Sequence, residues 1–265
     1  MTSDRLNEHK FWSHQPVFEM ESKIEEEVNE PMDKNSENSE ISQTPITLPP
    51  GFEWCSIDIR DPLILREFFE FLEENYIEDS SSTFKLEYSE DVIRWALVQS
   101  GYFPECIRCI RFNRTGKLIA SIVATPDNLN IGGKKLKVVF VDFLCIAKEF
   151  RSKRLSPVLI KEITRLSNLR GIFQALHTGA IVLPTCVASP AYFHRFLNPK
   201  KLLTSGFSTL PDNMKLSLYC KIHKTPSKLS TPGFREMKIS DVKHVTKLLN
   251  DYQQKFRLAK IFKKV

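Results

Sequence analysis

The sequence predicts an α+β fold, a mixed twisted β-sheet with flanking helices. Three observations point there. Capped segments with apolar residues at helical spacing alternate with strand-like runs. Turns containing glycine separate those runs. One buried apolar strand, near 135–147, passes through a basic loop straight into a helix start. The 265 residues are 42% hydrophobic and 11% aromatic, enough to bury a core in one large domain or two small ones.

The elements follow in order. Asp61 supplies an N-cap and Pro62 a first-turn proline, and Leu65, Phe68, Phe69, Leu72 and Tyr76 then recur at helical spacing. Ser89 caps a second helix through Leu97. Strands are expected at about 106–112 and 117–124, with a turn at Asn113–Gly116 between them. Gly132-Gly133 turns the chain into the long strand. Ser156-Pro157 opens the next helix, with Leu159, Ile163 and Leu166 on one face and Gly171 placed to end it. A strand at 172–177 and a short helix opened by Ser189-Pro190 come next, and Met214–Lys221 alternates as a strand does. Pro232-Gly233-Phe234, followed by Leu248 and Tyr252, echoes Pro50-Gly51-Phe52, followed by Leu72 and Tyr76. A second copy of the same βα unit would thus begin near 232, unless the short echo is chance.

The first 44 residues differ from the rest. They hold 4 Lys/Arg against 11 Asp/Glu, so of an overall +6 the remainder carries +13. Residues 19–44 are rich in Glu, Ser and Asn and read as a disordered acidic linker. Ahead of it His9–Pro16 forms an aromatic island, either a docking segment or an incidental apolar spot in a tail. No signal-like apolar region and no long apolar run occurs, so a cytoplasmic protein without a membrane span is expected. Six cysteines are scattered, and Cys106 and Cys109 form a lone C-x-x-C without a second ligand pair. Reduced, buried cysteine and no metal is the default.

The basic remainder suggests an anionic ligand. Residues 141–157 are the informative stretch: an apolar strand, the loop Arg151-Ser152-Lys153-Arg154, then a helix start. Helix N-terminal N–H groups lack intrahelical partners and bind phosphate. Neither a P-loop nor a G-x-G-x-x-G pattern is present, so a nucleotide site of either kind is not expected. The loop suits the pyrophosphate of coenzyme A, or is simply a solvated basic turn.

Several ordered motifs decide between these. His9-Lys10-Phe11-Trp12 with Gln15-Pro16-Val17, Asn75-Tyr76-Ile77-Glu78-Asp79, Phe143-Leu144-Cys145-Ile146, Arg151–Pro157, Gly171–Ala175, and His194-Arg195 with Leu197–Lys201 resemble the glycylpeptide N-tetradecanoyltransferase (protein N-myristoyltransferase) family. The resemblance runs from about residue 9 to the end. It implies a GNAT-like acyl-CoA acyltransferase fold with a second, truncated GNAT-like repeat. It divides the chain into an arm folding onto CoA (1–18), the linker (19–44), a myristoyl-CoA-binding domain (45–225) and the start of the second domain (226–265).

The resemblance also implies roles. Lys10, Phe11 and Trp12 would lie on the adenine end of CoA. Phe143, Leu144, Cys145 and Ile146 would follow the thioester and pantetheine, and Ser152, Arg154, Leu155 and Ser156 would hold the phosphates. Backbone N–H groups of Phe143 and Leu144 would form the oxyanion hole. Thr178 would hold the glycine amine, and Tyr76, Glu78, Asp79, Phe84, Tyr192 and His194 would meet the peptide. The nucleophile is the substrate amine, so Cys145 is not expected to act as one. The family's base is its C-terminal carboxylate, which this sequence is not expected to supply in the same way.

Departures concentrate on the peptide side. Asp142 stands where the family has Asn, either holding the amine as ammonium or acting as a substitute base. His177-Thr178-Gly179-Ala180 replaces Tyr-Thr-Ala-Gly, Lys85-Leu86 stands where Arg-Phe is usual, and Ala191 replaces an Arg. The leading expectation is transfer of a tetradecanoyl group from myristoyl-CoA to N-terminal glycine peptides. The alternative is a catalytically impaired acyl-CoA-binding remnant that associates through an apolar face. A small-molecule acetyltransferase is disfavoured by the motifs, and nucleic-acid binding rests on charge alone.

Overall fold

The computed structural model describes residues 30, 41–77, 87–99, 101–179, 186–228 and 230–263. Lys10, Phe11, Trp12, Glu78, Asp79 and Phe84 lie outside the described residues, as do the 1–18 arm and most of the 19–44 tract. The chain forms two compact units, Met1–Thr185 with Lys243–Val265, and Cys186–Val242.

The larger unit is built on one sheet. Its strands are β1 (Phe52–Ser56), β2 (Ile107–Phe112), β3 (Leu118–Ile131), β4 (Lys134–Ile146) and β5 (Ala175–His177), in that spatial order. All neighbours are antiparallel except β4 and β5, which run parallel. A further strand, β6 (Leu258–Lys260), pairs with Leu129–Ile131 of β3, beyond the stretch that β2 occupies. The β3–β4 turn has two residues, Gly132 and Gly133, at φ +53° and +88°. Both central positions of such a turn need positive φ, which glycine adopts without a Cβ clash.

Helices cover both faces. In α1 (Pro62–Asn75) the Asp61 carboxylate accepts from the Leu63 N–H at 2.8 Å. In α2 (Glu90–Leu97) the Ser89 hydroxyl accepts from the Val92 N–H at 3.3 Å. The third helix, α3 (Leu155–Leu169), ends on Gly171 in a Schellman motif: the Ile172 N–H donates to Ser167 O and the Gly171 N–H to Asn168 O. Arg108 and Arg111 are three apart on β2 and so point to opposite faces. Arg111 pairs with Glu67 of α1, and Arg108 pairs with Glu162 of α3. Leu65 and Phe68 of α1, Leu159 and Ile163 of α3, and Ile107, Ile110, Ile122 and Val123 of the sheet form the core. Each such side chain contributes about 1.5–3 kcal/mol by leaving water.

Glu162 is fully buried yet charged. Its carboxylate accepts from Arg165 Nε and Nη2 at 2.9 and 2.8 Å and from the Ile46 N–H at 3.2 Å, and it pairs with Arg108 Nη2 at 3.1 Å. Trp54 Nε1 donates to Ile46 O at 2.7 Å while its ring lies under the Arg108 guanidinium. Residues 42–46 are thereby fastened to α3. At the other end of the unit, the Asn250 side chain exchanges two hydrogen bonds with the Phe262 backbone, at 2.9 and 3.0 Å.

The smaller unit holds α4 (Pro199–Thr204), capped by Asn198, and α5 (Leu216–Ile222). Phe196, Tyr219 and His223 gather their rings there, 4.6–6.2 Å apart. The last helix, α6 (Val242–Gln253), follows.

Four expectations are corrected. Met214–Lys221 is not a strand but largely α5, because the Tyr219–His223 contact is helical in spacing. No helix opens at Ser189-Pro190, where Val187, Tyr192 and Phe193 are exposed and offer no face to bury. Helix α3 begins at Leu155, one residue before Ser156, with Arg154 at the cap position. Pro157 is tolerated inside its first turn, where N–H groups have no partner anyway. Strand β3 runs to Ile131 rather than Ala124, since the two-glycine turn carries the ladder to its end. The echo near 232 is half met: α6 is a helix, but among the described residues no strand stands between Pro232 and α6.

Candidate active site

The backbone of β4 breaks its own regularity. Ser121 of β3 faces Cys145 and Val123 faces Asp142, so two residues of β4, Phe143 and Leu144, oppose Ile122 alone. Phe143 sits at φ +50°, a region costly for a bulky side chain. The distortion is held from both sides. The buried Ser121 hydroxyl donates to Phe143 O at 2.9 Å. The Phe143 ring stacks on Tyr76 at 5.5 Å and meets Tyr88 and Phe68 edge-on.

A fork opens beside the bulge. Strand β5 accompanies β4 along Val139–Val141 only, ending at His177. Asp142 and Thr178 are the next residues on the two strands, and both are exposed. Although the Asp142 surface is open, its crowded surroundings push the carboxyl above its ordinary value, and the charge of His177 opposes the rise. His177 Nδ1 lies 3.2 Å from Val141 O.

Beyond Ile146 the chain makes a tight turn at Lys148–Phe150 and enters α3. Ser152 and Arg154 are left-handed, at φ +62° and +59°. No side chain caps α3, so the first N–H groups, at Leu155 and Ser156, have no capping acceptor. Arg151 faces inward: Nε donates to Ile146 O at 3.1 Å and Nη2 to Asn75 O at 2.5 Å. The Asn75 side chain accepts from the Lys148 N–H at 3.1 Å. The C-terminus of α1, the end of β4 and the turn are thus one rigid piece. Lys153 lies over the Phe150 ring at 4.8 Å.

These groups exclude a thiol nucleophile here. Burial pushes the Cys145 thiol up to about 12 despite the charge of Arg151, so it is protonated at neutral pH. Burial, helped by Tyr88, Asp142 and Cys145, likewise lifts the Tyr76 phenol to about 12 against the Phe143 backbone N–H. The arrangement offers instead a distorted strand beside an open fork, next to a helix N-terminus fit for phosphate.

Comparison with known proteins identifies the family. The N-terminal domain model of myristoyl-CoA:protein N-myristoyltransferase matches residues 31–190, and the C-terminal domain model matches residues 204–265. The chain belongs to the N-myristoyltransferase family. A glycylpeptide N-tetradecanoyltransferase of Drosophila melanogaster is 42% identical over 96% of this chain and 53% of its own length. That of Saccharomyces cerevisiae is 41% identical over 98% and 56%. The chain spans about half the length of the curated relatives it matches. A crystal structure of Saccharomyces cerevisiae N-myristoyltransferase with bound myristoyl-CoA superposes with a TM-score of 0.91, at 41% identity, covering 97% of this chain and 57% of that one. The fold is the GNAT-like one of that family.

Of the residues singled out from sequence, the larger unit contains Asp142, Phe143, Leu144, Cys145, Ile146, Ser152, Arg154, Leu155, Ser156 and Thr178 along the bulge, the fork and the turn, and Tyr76 at the end of α1, stacked on Phe143. Tyr192 and His194 belong to the smaller unit, where Tyr192 is 80% exposed. Sequence reasoning missed Ser121, Asn75 as an anchor, and the inward role of Arg151. Ser121 carries no local signal, because its partner is a carbonyl 22 residues away. Asn75 lay inside a quoted motif, but its bonds depend on where the turn arrives.

Proposed function

We propose that this chain is the acyl-CoA-binding half of a protein N-myristoyltransferase and transfers a tetradecanoyl group from myristoyl-CoA to the N-terminal glycine amine of proteins in the cytoplasm. One observation carries the proposal: the left-handed bulge at Phe143–Leu144 stands directly before a turn that ends in an uncapped helix N-terminus. Thioester aminolysis and CoA binding need these two features side by side.

Attack of the amine on the thioester carbonyl builds negative charge on its oxygen. The extra residue of a bulge is unpaired in its ladder, so the Leu144 N–H, joined by the Phe143 N–H when it turns from the Tyr76 phenol, would meet that oxygen. Leu155 and Ser156 N–H groups, with Ser152 and Arg154, would hold the CoA phosphates, and Cys145 and Ile146 would line the pantetheine. Thr178 would orient the amine at the fork. Asp142 would accept its proton, and a carboxyl pushed upward by desolvation is the better base for it. The acyl group then bonds to nitrogen and CoA leaves as the thiol. Tyr76, Glu78, Asp79, Phe84, Tyr192 and His194 would contact the peptide, and Lys10, Phe11 and Trp12 the adenine. In this reading residues 1–18 are the arm, 19–44 the linker, 45–225 the myristoyl-CoA-binding domain and 226–265 part of the second domain.

A second reading, acyl-CoA binding without transfer, is favoured by the same carboxylate, since Asp142 ionised beside the amine would hold it as ammonium. Labelled myristoyl transfer to a Gly-initiated peptide, with myristoyl-CoA binding followed by calorimetry, separates the two. Turnover supports the transferase. Binding without turnover supports the second reading, and absence of both sinks the two together.

A further inference from the structure

The C-x-x-C spacing of Cys106 and Cys109 does not describe what the fold assembles. Cys106 closes a short 3-10 turn before β2, and burial lifts its thiol to about 11. Cys109 points elsewhere. It stands directly opposite Cys55 in the β1–β2 ladder. Opposed residues of an antiparallel pair have Cα atoms about 4.5–5.5 Å apart. That lies inside the span of roughly 4.4–6.8 Å that a disulfide bridges without backbone movement. Both cysteines are free thiols, Cys109 fully buried and Cys55 half-buried on a strand that has no further strand beyond it among the described residues.

We propose that Cys55 and Cys109 are a peroxide-oxidisable thiol pair that closes to a cross-strand disulfide between β1 and β2. The division of labour follows from their surroundings. The Cys109 thiol donates toward Cys55 and, outweighing the effect of burial, lowers the Cys55 thiol below its ordinary value, and the charges of Arg111 and Arg108 add to this. Its partner is pushed the other way, well above the ordinary value, by the same contact and by burial. Of the two thiols Cys55 is the more readily ionised, and as the half-buried one it is the nucleophile that an oxidant can reach. Its sulfur attacks one oxygen of hydrogen peroxide, the O–O bond breaks, and one water leaves with a sulfenic acid on Cys55. The Cys109 sulfur then attacks that sulfur, the S–O bond breaks, and a second water carries away the hydroxyl with the Cys109 proton. Two thiols are oxidised and one peroxide is reduced. The bond would fasten the outer strand, from which Trp54 holds residue Ile46, to the centre of the sheet.

The test uses the full 265-residue chain, reduced, treated with hydrogen peroxide, alkylated and mapped by mass spectrometry. The expected product is one linked peptide joining Cys55 to Cys109, two hydrogens lighter, reopened by a dithiol and accompanied by an upward shift in Tm. Cys106→Ser should form the same link and Cys55→Ser should not. Cys109→Ser should leave Cys55 as a sulfenic acid that dimedone traps. If that variant fails to fold, the wild-type map and Cys106→Ser decide the matter. Oxidation confined to exposed Cys186 while Cys55 and Cys109 stay open to alkylation overturns the proposal, as does a Cys106–Cys109 link.

Discussion

Replacing Glu162 with glutamine is expected to cost the larger unit about 3–5 kcal/mol, the usual penalty for breaking a buried ion pair from one side. The Glu162 side chain is 0% exposed, and the two guanidiniums around it, Arg165 and Arg108, are 10% and 12% exposed. Glutamine keeps the shape and one acceptor oxygen. Its NH2 must then face a guanidinium or the Ile46 N–H, donor against donor, and two cations lose their counter-charge. At roughly 2–4 °C per kcal/mol for a domain of this size, Tm should fall by about 6–20 °C. The pH dependence carries a second signature. Desolvation alone would raise the Glu162 carboxyl, but the Arg165 hydrogen bonds, the Ile46 N–H and the charges of Arg165 and Arg108 hold it below its ordinary value. A depressed native pKa stabilises above the unfolded value of about 4.3 and ceases to do so as pH falls through the native value. The gap between wild type and Glu162→Gln should therefore close in acid. Thermal melts across pH, with Trp54 fluorescence reporting the loosened 42–46 segment, measure both. A neutral-pH difference under about 1 kcal/mol would mean desolvation had already cancelled the pair. A gap unchanged in acid would mean packing, not charge, set it.

Three further outcomes are expected. Ser121→Ala leaves the Phe143 carbonyl buried without its donor, costing about 1–3 kcal/mol, and should lower kcat with little change in myristoyl-CoA Kd; an unchanged kcat would detach the bulge from catalysis. Arg154→Gly should raise Tm, because φ +59° costs a non-glycine residue about 1 kcal/mol, while weakening myristoyl-CoA on the order of tenfold by calorimetry; unaltered affinity would remove Arg154 from the phosphate site. Asp142→Asn should raise Tm around pH 7 and lose that gain in acid, since a carboxyl with a raised native pKa destabilises the fold as pH rises through its ordinary value. The same substitution should abolish transfer, and unchanged turnover would disprove Asp142 as the base.

Where local chemistry decides the structure, the sequence is legible. Asp61 and Ser89 cap their helices through their own hydroxyl or carboxylate oxygen, Gly132-Gly133 makes the one turn that two residues allow, and Gly171 closes α3. Where distant contacts decide, it is not. Met214, Leu216, Leu218 and Cys220 alternate as a strand would, yet none of the described residues of the smaller unit offers a sheet edge, and Tyr219 joins His223 and Phe196 from a helix instead. The motif residues of the site were legible only because they form contiguous strings. The bonds that shape the site join residues 22 to 76 positions apart, Ser121 to Phe143, Lys148 to Asn75 and Arg151 to Asn75, and no window of sequence contains them.

Those bonds also redistribute the charge that composition seemed to offer. The loop Arg151-Ser152-Lys153-Arg154 reads as three cations for a phosphate. Arg151, however, is bound to two carbonyls of its own chain, and Lys153 lies over Phe150. What remains is Arg154 and the unfilled N–H groups of α3, which attract an anion through direction as much as charge. Arg151 does a different job: by joining Asn75 O to Ile146 O it fixes the end of β4 against the end of α1, where Tyr76 stacks on Phe143. A phosphate drawn to the turn and a carbonyl drawn to the bulge would then be positioned by one rigid backbone element. Replacing Arg151 with lysine keeps the charge but cannot reach both carbonyls in a planar fork. It is therefore expected to weaken myristoyl-CoA binding and slow transfer together, by comparable factors, whereas a purely electrostatic loop would leave both nearly unchanged.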